Sequence, residues 1–217
     1  TRALLPDAWD GPIFEHDSNA DSFCVELTRQ RPGYAAEIEV EATVTGESLL
    51  ESYRFRCVPA LSRMEHIVVR FSHARETAPR WSLGEEEGHP LSARRLTDSE
   101  QSAAGMVPGP ETWKISLVPS RGDPFDIRAA RTVPFREETS VSLASLPEAD
   151  SQSAVLAVRT VDEHPPRIAN RRLEPIPTAP APPGEYQTVR GTFRYDPVRI
   201  AQSAQNESIA IAPADRT

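Results

Sequence analysis

The sequence predicts an all-β chain, an antiparallel β-sandwich of about 8–10 strands with long Pro-rich irregular segments and at most short helical turns. Three observations carry that expectation. Apolar residues recur at a two-residue period in segment after segment. Proline makes up 21 of 217 residues, a density that helix interiors do not tolerate. Helix start and stop signals are few.

The clearest strand is 36–44. Ala36, Ile38, Val40, Ala42 and Val44 share one face, and Glu37, Glu39, Glu41 and Thr43 share the other. That alternation describes a half-buried strand with a wetted acidic face. The same period sets Phe23, Val25 and Leu27 against Cys24, Glu26 and Thr28. It sets Tyr53, Phe55 and Cys57 against Arg54 and Arg56. Ile67–Val69–Phe71, Trp113–Ile115–Leu117 and Phe125–Ile127–Ala129 follow. Val141 with Leu143, the segment 154–161, Val189–Phe193–Tyr195 and Ile209–Ile211 complete the set.

Thr97-Asp98-Ser99-Glu100 reads as a capping box, with Gly105 ending the helix within two turns. Ser145-Leu146-Pro147-Glu148 reads as a similar, shorter start. Residues 84–112 and 164–184 lack strand pattern, and seven prolines fall in the second of these. Such a stretch favours extended polyproline II. Ordered, it must lie across its own sheet or against a neighbouring subunit. The expected division is a β-sandwich body of 1–163, a Pro-rich strap of 164–184 and a C-terminal β-hairpin of 185–217. A split near 105 into two β units is the rival.

An internal repeat recurs at an offset of 60. Glu51, Val58, Pro59 and Ile67 match Glu111, Val118, Pro119 and Ile127. Ser52, Tyr53 and Arg54 map conservatively onto Thr112, Trp113 and Lys114. Each copy reads strand, Val-Pro, loop, strand. Two readings stay open: a duplication, giving two stacked hairpins or two small β units, or two unrelated hairpins of similar chemistry.

A net charge of −8 and a pI near 5.2 repel phosphate backbones and anionic lipid, so nucleic acid is not an expected partner. No apolar run reaches the length of a membrane helix, so no membrane insertion is expected. No leader with a basic then apolar stretch is legible, and no initiator Met is present. The chain is therefore expected to be a mature product or a piece of a longer one.

Catalytic motifs of the P-loop, G-x-G-x-x-G, G-x-S-x-G and HExxH types are absent from the sequence, so no catalytic residue is assigned. Oxygen ligands at alternate positions make Asp17, Asn19 and Asp21 a candidate Ca²⁺ loop, with Asp7, Asp10 and Glu15 just upstream. The EF-hand pattern fails at Ser22 and Thr28. Glu85–Glu87 with His89 is a second candidate cation site, although a run of three like charges is usually a solvated loop. His16, His66, His73, His89 and His164 show no metal-ligand spacing. Cys24 and Cys57 could close one disulfide around a loop of about 33 residues, worth roughly 3–4 kcal/mol, or remain two buried thiols. Trp9 and Trp81 flank Pro and charged residues, where they could form a sugar-binding shelf or seal the ends of the sandwich.

Apart from that possible Ca²⁺, no cofactor is expected. The missing catalytic motifs, the long irregular segments and the abundant extended chain favour a non-catalytic structural or protein-interaction β module, a subunit or fragment of a shell, surface layer or envelope assembly. Its partners are then other protein chains, including copies of itself, and its place is extracytoplasmic or on a particle surface. The alternatives are a secreted carbohydrate- or calcium-binding module and a hydrolase with a motif-free site.

Overall fold

Alternation over 34–45 produces a long central strand, and the largest sheet grows from its two edges. The computed structural model describes residues 33–60, 63–84, 88–135, 137–161, 165–178, 188–202 and 208–213. Strands β1 (Tyr34–Thr45), β2 (Ser48–Pro59), β3 (Met64–Phe71), β4 (Arg80–Leu83), β5 (His89–Pro90) and β6 (Ala93–Arg95) precede helix α1 (Asp98–Ala103). Then come β7 (Glu111–Arg121), β8 (Phe125–Pro134), β9 (Thr139–Ser140), β10 (Ala144–Ser145), β11 (Ser151–Thr160), β12 (Arg167–Arg171), β13 (Glu174–Ile176) and β14 (Thr188–Tyr195). Helix α2 (Pro197–Gln202) and β15 (Ser208–Ala212) close the series.

The chain is all-β, as its periodicity predicts, and its described residues form three sheets. The largest has eight strands in the order β13-β14-β11-β1-β2-β8-β4-β5. A four-stranded sheet runs β10-β3-β7-β6 and a three-stranded sheet β12-β15-β9. Among the described residues every pairing is antiparallel except β1 with β11, which is parallel from Ala35↔Ser151 to Val44↔Thr160. A parallel pair needs a long crossover, and here everything between β2 and β10 supplies it.

The large and four-stranded sheets face each other across an aromatic layer. Tyr53 meets Phe71 with ring centroids 4.8 Å apart, and Trp81 lies 6.1 Å from Phe71 and 6.3 Å from Trp113. On β1, Tyr34, Ala36, Ile38, Val40, Ala42 and Val44 are all buried in this core. Ile209 and Ile211 of β15 bring the third sheet into the same apolar cluster.

The helix signals divide. Thr97 caps α1 as predicted: Glu100 N donates to Thr97 Oγ1 at 3.3 Å and Thr97 N to Glu100 Oε2 at 2.9 Å. Gly105, at φ +74°, ends the turn with its N–H on the Ser102 carbonyl. This segment then covers the outer face of the four-stranded sheet. The buried Gln101 accepts from Gly109 N and Thr112 Oγ1, both at 2.9 Å. A Cβ at Gly109 would come within 2.7 Å of Arg70 Nε, so glycine permits this close approach.

Ser145-Leu146-Pro147-Glu148, by contrast, starts no helix. Ser145 belongs to β10, paired with Arg70, and Ala149 N closes a turn onto the Leu146 carbonyl. Leu146 is core, so packing overrides the local signal. The unexpected helix is α2. Pro197 occupies its first position, and Val198 N donates to Asp196 Oδ1 at 2.9 Å, an Asp-Pro start.

The C-terminal strands also depart from expectation. β14 and β15 do not form a hairpin. β14 pairs with β11 and β13 in the large sheet, and β15 with β12 and β9 in the small one. The described part of the Pro-rich strap supplies two edge strands, β12 and β13. Pro175 lies in β13, where an edge position tolerates its missing N–H. Residues 165–178 of the strap therefore lie against the chain's own sheets.

Candidate functional site

Three charged residues sit in the inward phase of their strands. Glu51 precedes Tyr53, Phe55 and Cys57 at the two-residue period. Glu111 precedes Ile115 and Leu117 in the same way, and Arg131 follows Ile127 and Ala129. The pleat therefore drives all three into the core. Side chains of Glu51 and Arg131 are 0% exposed and that of Glu111 is 1% exposed.

There they form one network with Arg75, which enters from the loop after β3. Arg131 Nε donates to Glu51 Oε2 at 2.8 Å, and Arg131 Nη1 to Glu111 Oε2 at 2.8 Å. Arg75 Nη2 donates to Glu51 Oε1 at 2.8 Å and also to the Ser140 carbonyl. Glu51 further accepts from Ser142 N at 2.9 Å and Tyr53 Oη at 3.1 Å. Glu111 accepts from Trp113 Nε1 at 2.7 Å and Arg75 N at 3.1 Å. The Arg131 guanidinium stacks on the Phe71 ring at 4.6 Å. Two negative and two positive charges cancel, and the four residues tie all three sheets together.

Burial alone would raise the Glu51 pKa. The Arg75 hydrogen bond, the Arg131 and Arg75 charges and the Ser142 N–H outweigh it and hold the carboxyl below its ordinary range. Burial would likewise lower the Arg131 pKa, but Tyr53, Glu51 and Glu111 push it above its ordinary value. Burial, then the Glu51 charge, raises the Tyr53 hydroxyl well above its usual range. The centre is thus built of fixed charges and held protons. Arg75 and Ser142 N engage Glu51 Oε1, while Arg131 and a Tyr53 hydroxyl shared with the Ser142 carbonyl at 2.8 Å engage Oε2, which suits structure rather than acid–base work.

His73 borders the centre. Its Nδ1 lies 2.8 Å from Ser72 Oγ, and its pKa is lowered by burial first and then by the Arg75 charge. Ser72 Oγ accepts from Leu143 N at 2.9 Å and is buried, so this hydroxyl anchors the chain before β10. His66, lowered by burial and then by Lys114, stands 3.8 Å from Glu148. The two histidines have different neighbours, and His89 is exposed on β5.

Other predicted sites fall differently. Asp17, Asn19, Asp21, Trp9 and Cys24 lie outside the described residues, as do His16, Glu85–Glu87 and His164. Among the described residues no group of three or more His, Cys, Asp or Glu could hold a metal ion. No described helix is long and apolar enough to cross a membrane. Cys57 is a buried free thiol, and burial followed by the Asp126 charge pushes its pKa up to about 12. The shelf role of Trp81 is corrected. It is only 6% exposed, with Phe55, Phe71 and Trp113 around it. β4 places it in the inward phase opposite Ala129, whose small side chain leaves room for the indole.

The outer face of the large sheet carries the exposed charge. Glu37 meets Arg56 at 3.6 Å, Glu39 meets Arg54 at 3.4 Å, Arg54 meets Asp126 at 2.8 Å and Glu41 meets Arg159 at 2.9 Å. A shallow depression of about 280 Å3 opens there, lined by Ala35, Glu37, Arg56, Val58, Ser151 and Ser153 among others.

Comparison with known proteins adds little to this picture. No family model matches the chain, and no curated protein matches it. Among solved structures, native yeast LTA4 hydrolase is similar at a TM-score of 0.40 and 9% identity. The same yeast enzyme in complex with bestatin is similar at a TM-score of 0.41 and 9% identity. Each match covers 82% of this chain and 28% of the other, so the chain spans little more than a quarter of the length of those proteins. At that level of likeness no activity is transferred.

Proposed function

We propose that the chain is a non-catalytic β module that acts through contact with other protein chains, as a subunit or segment of a larger assembly. The observation that carries this reading is the closed charge centre. The most reactive polar groups of the described core, Glu51, Glu111, Arg131 and Arg75, are spent on one another and on backbone donors that lock three sheets together. What the module offers outward is a broad, rigid sheet face patterned with alternating charge. Such a face suits docking that is steered and oriented by electrostatic complementarity.

Sedimentation velocity of the purified chain, from low to high micromolar concentration and at low and high salt, tests the reading. The expected result is association that weakens with salt and is lost in Glu39→Arg/Arg54→Glu. A chain that stays monomeric throughout removes self-assembly. Turnover of peptide, ester or glycoside reporters that falls in Glu51→Gln, without loss of folded protein, would overturn the non-catalytic reading.

A further inference from the structure

The buried charge centre lies where the sequence repeats itself. Residues 51–71 and 111–131 each run strand, short connection, strand: β2 into β3, and β7 into β8. In each copy the two strands belong to opposite sheets. The order is inverted between copies, because β2 and β8 lie in the eight-stranded sheet while β3 and β7 lie in the four-stranded sheet.

The pairing obeys the same relation. In β2–β8, Glu51 faces Arg131, Phe55 faces Ile127 and Arg56 faces Asp126. Moving the first partner forward by 60 and the second back by 60 gives Glu111 with Phe71, Ile115 with Ile67 and Ser116 with His66. Those are the pairs observed between β7 and β3. Register is free to slip in steps of one residue, and each odd step reverses the faces. Here both register and phase are preserved over the six pairs from Glu111↔Phe71 to Ser116↔His66, up to the register shift between His66 and Met64.

The chemistry follows. Each glutamate accepts from the aromatic side chain two residues on, Glu51 from the Tyr53 hydroxyl at 3.1 Å and Glu111 from the Trp113 indole N–H at 2.7 Å. The relation exchanges Arg131 with Phe71, and these two stack on each other at 4.6 Å.

We infer that residues 51–71 and 111–131 are two-fold-related copies of one β-arch unit, and that Arg131 is the single counter-ion shared by their equivalent glutamates, with Phe71 in the place of a second arginine. The sharing has a physical reason. Two guanidiniums stacked at this separation would repel each other in a low dielectric. One arginine beside the axis reaches both carboxylates, and Arg75 brings the second positive charge from outside both copies.

Exchanging the two side chains in the 217-residue chain tests this. Under the two-fold relation, an arginine at 71 lies in register with Glu111 and reaches Glu51 across the sheets. Phe71→Arg alone crowds two guanidiniums, and Arg131→Phe alone leaves two buried carboxylates with Arg75. Each single change is expected to lower the melting midpoint by roughly 10 °C or more. Phe71→Arg/Arg131→Phe is expected to regain at least half of the larger loss. Where a single variant yields no soluble protein, recovery of a cooperatively melting chain on combining the two is the expected result. A double variant that melts no higher than the worse single, or that fails to fold, overturns the inference. Tyr53→Phe and Trp113→Phe give a gentler second reading: the first removes a hydroxyl shared between Glu51 and the Ser142 carbonyl, and the second removes the indole donor to Glu111. Comparable downward shifts of roughly 2–4 °C are expected, and a loss confined to one copy overturns the equivalence.

Discussion

Arginine meets glutamate in two settings in this protein, and the chemistry is the same in both. Inside, Arg131 pairs across neighbouring strands with Glu51 at 2.8 Å. Outside, Arg54 pairs across neighbouring strands with Glu39 at 3.4 Å. The inner side chains are fully buried, whereas those of Arg54 and Glu39 are 39% and 64% exposed. The difference is water. Outside, solvent competes for each charge and screens the pair. Inside, desolvation has already been suffered by every member, so each depends on its partners and the loss of one strands the rest. The inner set therefore fixes how three sheets stack, while the outer set decorates a face.

The largest effect expected from breaking this comparison is at Arg131. Arg131→Met leaves Glu51 and Glu111 buried against Arg75 and is expected to cost about 3–5 kcal/mol, read as the loss of urea midpoint at unchanged slope. Glu51→Gln keeps the shape but removes one charge, and should cost about 1–3 kcal/mol. It should also alter the acid limb. Because the folded Glu51 pKa lies below its unfolded value, its contribution is present above the unfolded pKa and is lost as pH falls through the folded pKa. Stability measured down that limb should fall less steeply in Glu51→Gln than in the parent chain.

A smaller pH effect belongs to His73, whose folded pKa is lowered from 6.5. Its contribution is full above that value and declines as pH falls toward the folded pKa, so His73→Gln should flatten stability below about pH 6.5. Glu39→Ala is the smallest, expected within about 0.5 kcal/mol of the parent.

How far the sequence anticipated this structure depends on the kind of signal. The alternation of 36–44 located β1, and Thr97 with Glu100 located α1, because both are local signals. The phase of Glu51, Glu111 and Arg131 was legible too, since each continues an apolar period. A charged residue in the inward phase names a buried pair only once its partners are known, and these come from strands up to 80 residues apart. The parallel pairing of β1 with β11 and the docking of β12 and β13 onto two sheets are likewise long-range, with no local mark. Trp81 misled because β4 has only four residues, too few to show a period. The repeat at offset 60 was visible as identities, but only the matching registers of β2–β8 and β3–β7 give it structural content.

The measurement that tests the account most directly is a pair of double-mutant cycles on unfolding free energy. One joins Arg131→Met with Glu111→Gln, and the other joins Arg54→Ala with Glu39→Ala. The account predicts an inner coupling of about 2 kcal/mol or more and an outer coupling well below about 1 kcal/mol. Equal couplings, or an inner coupling near zero, would contradict the claim that the buried charges act as one closed centre holding the sheets together.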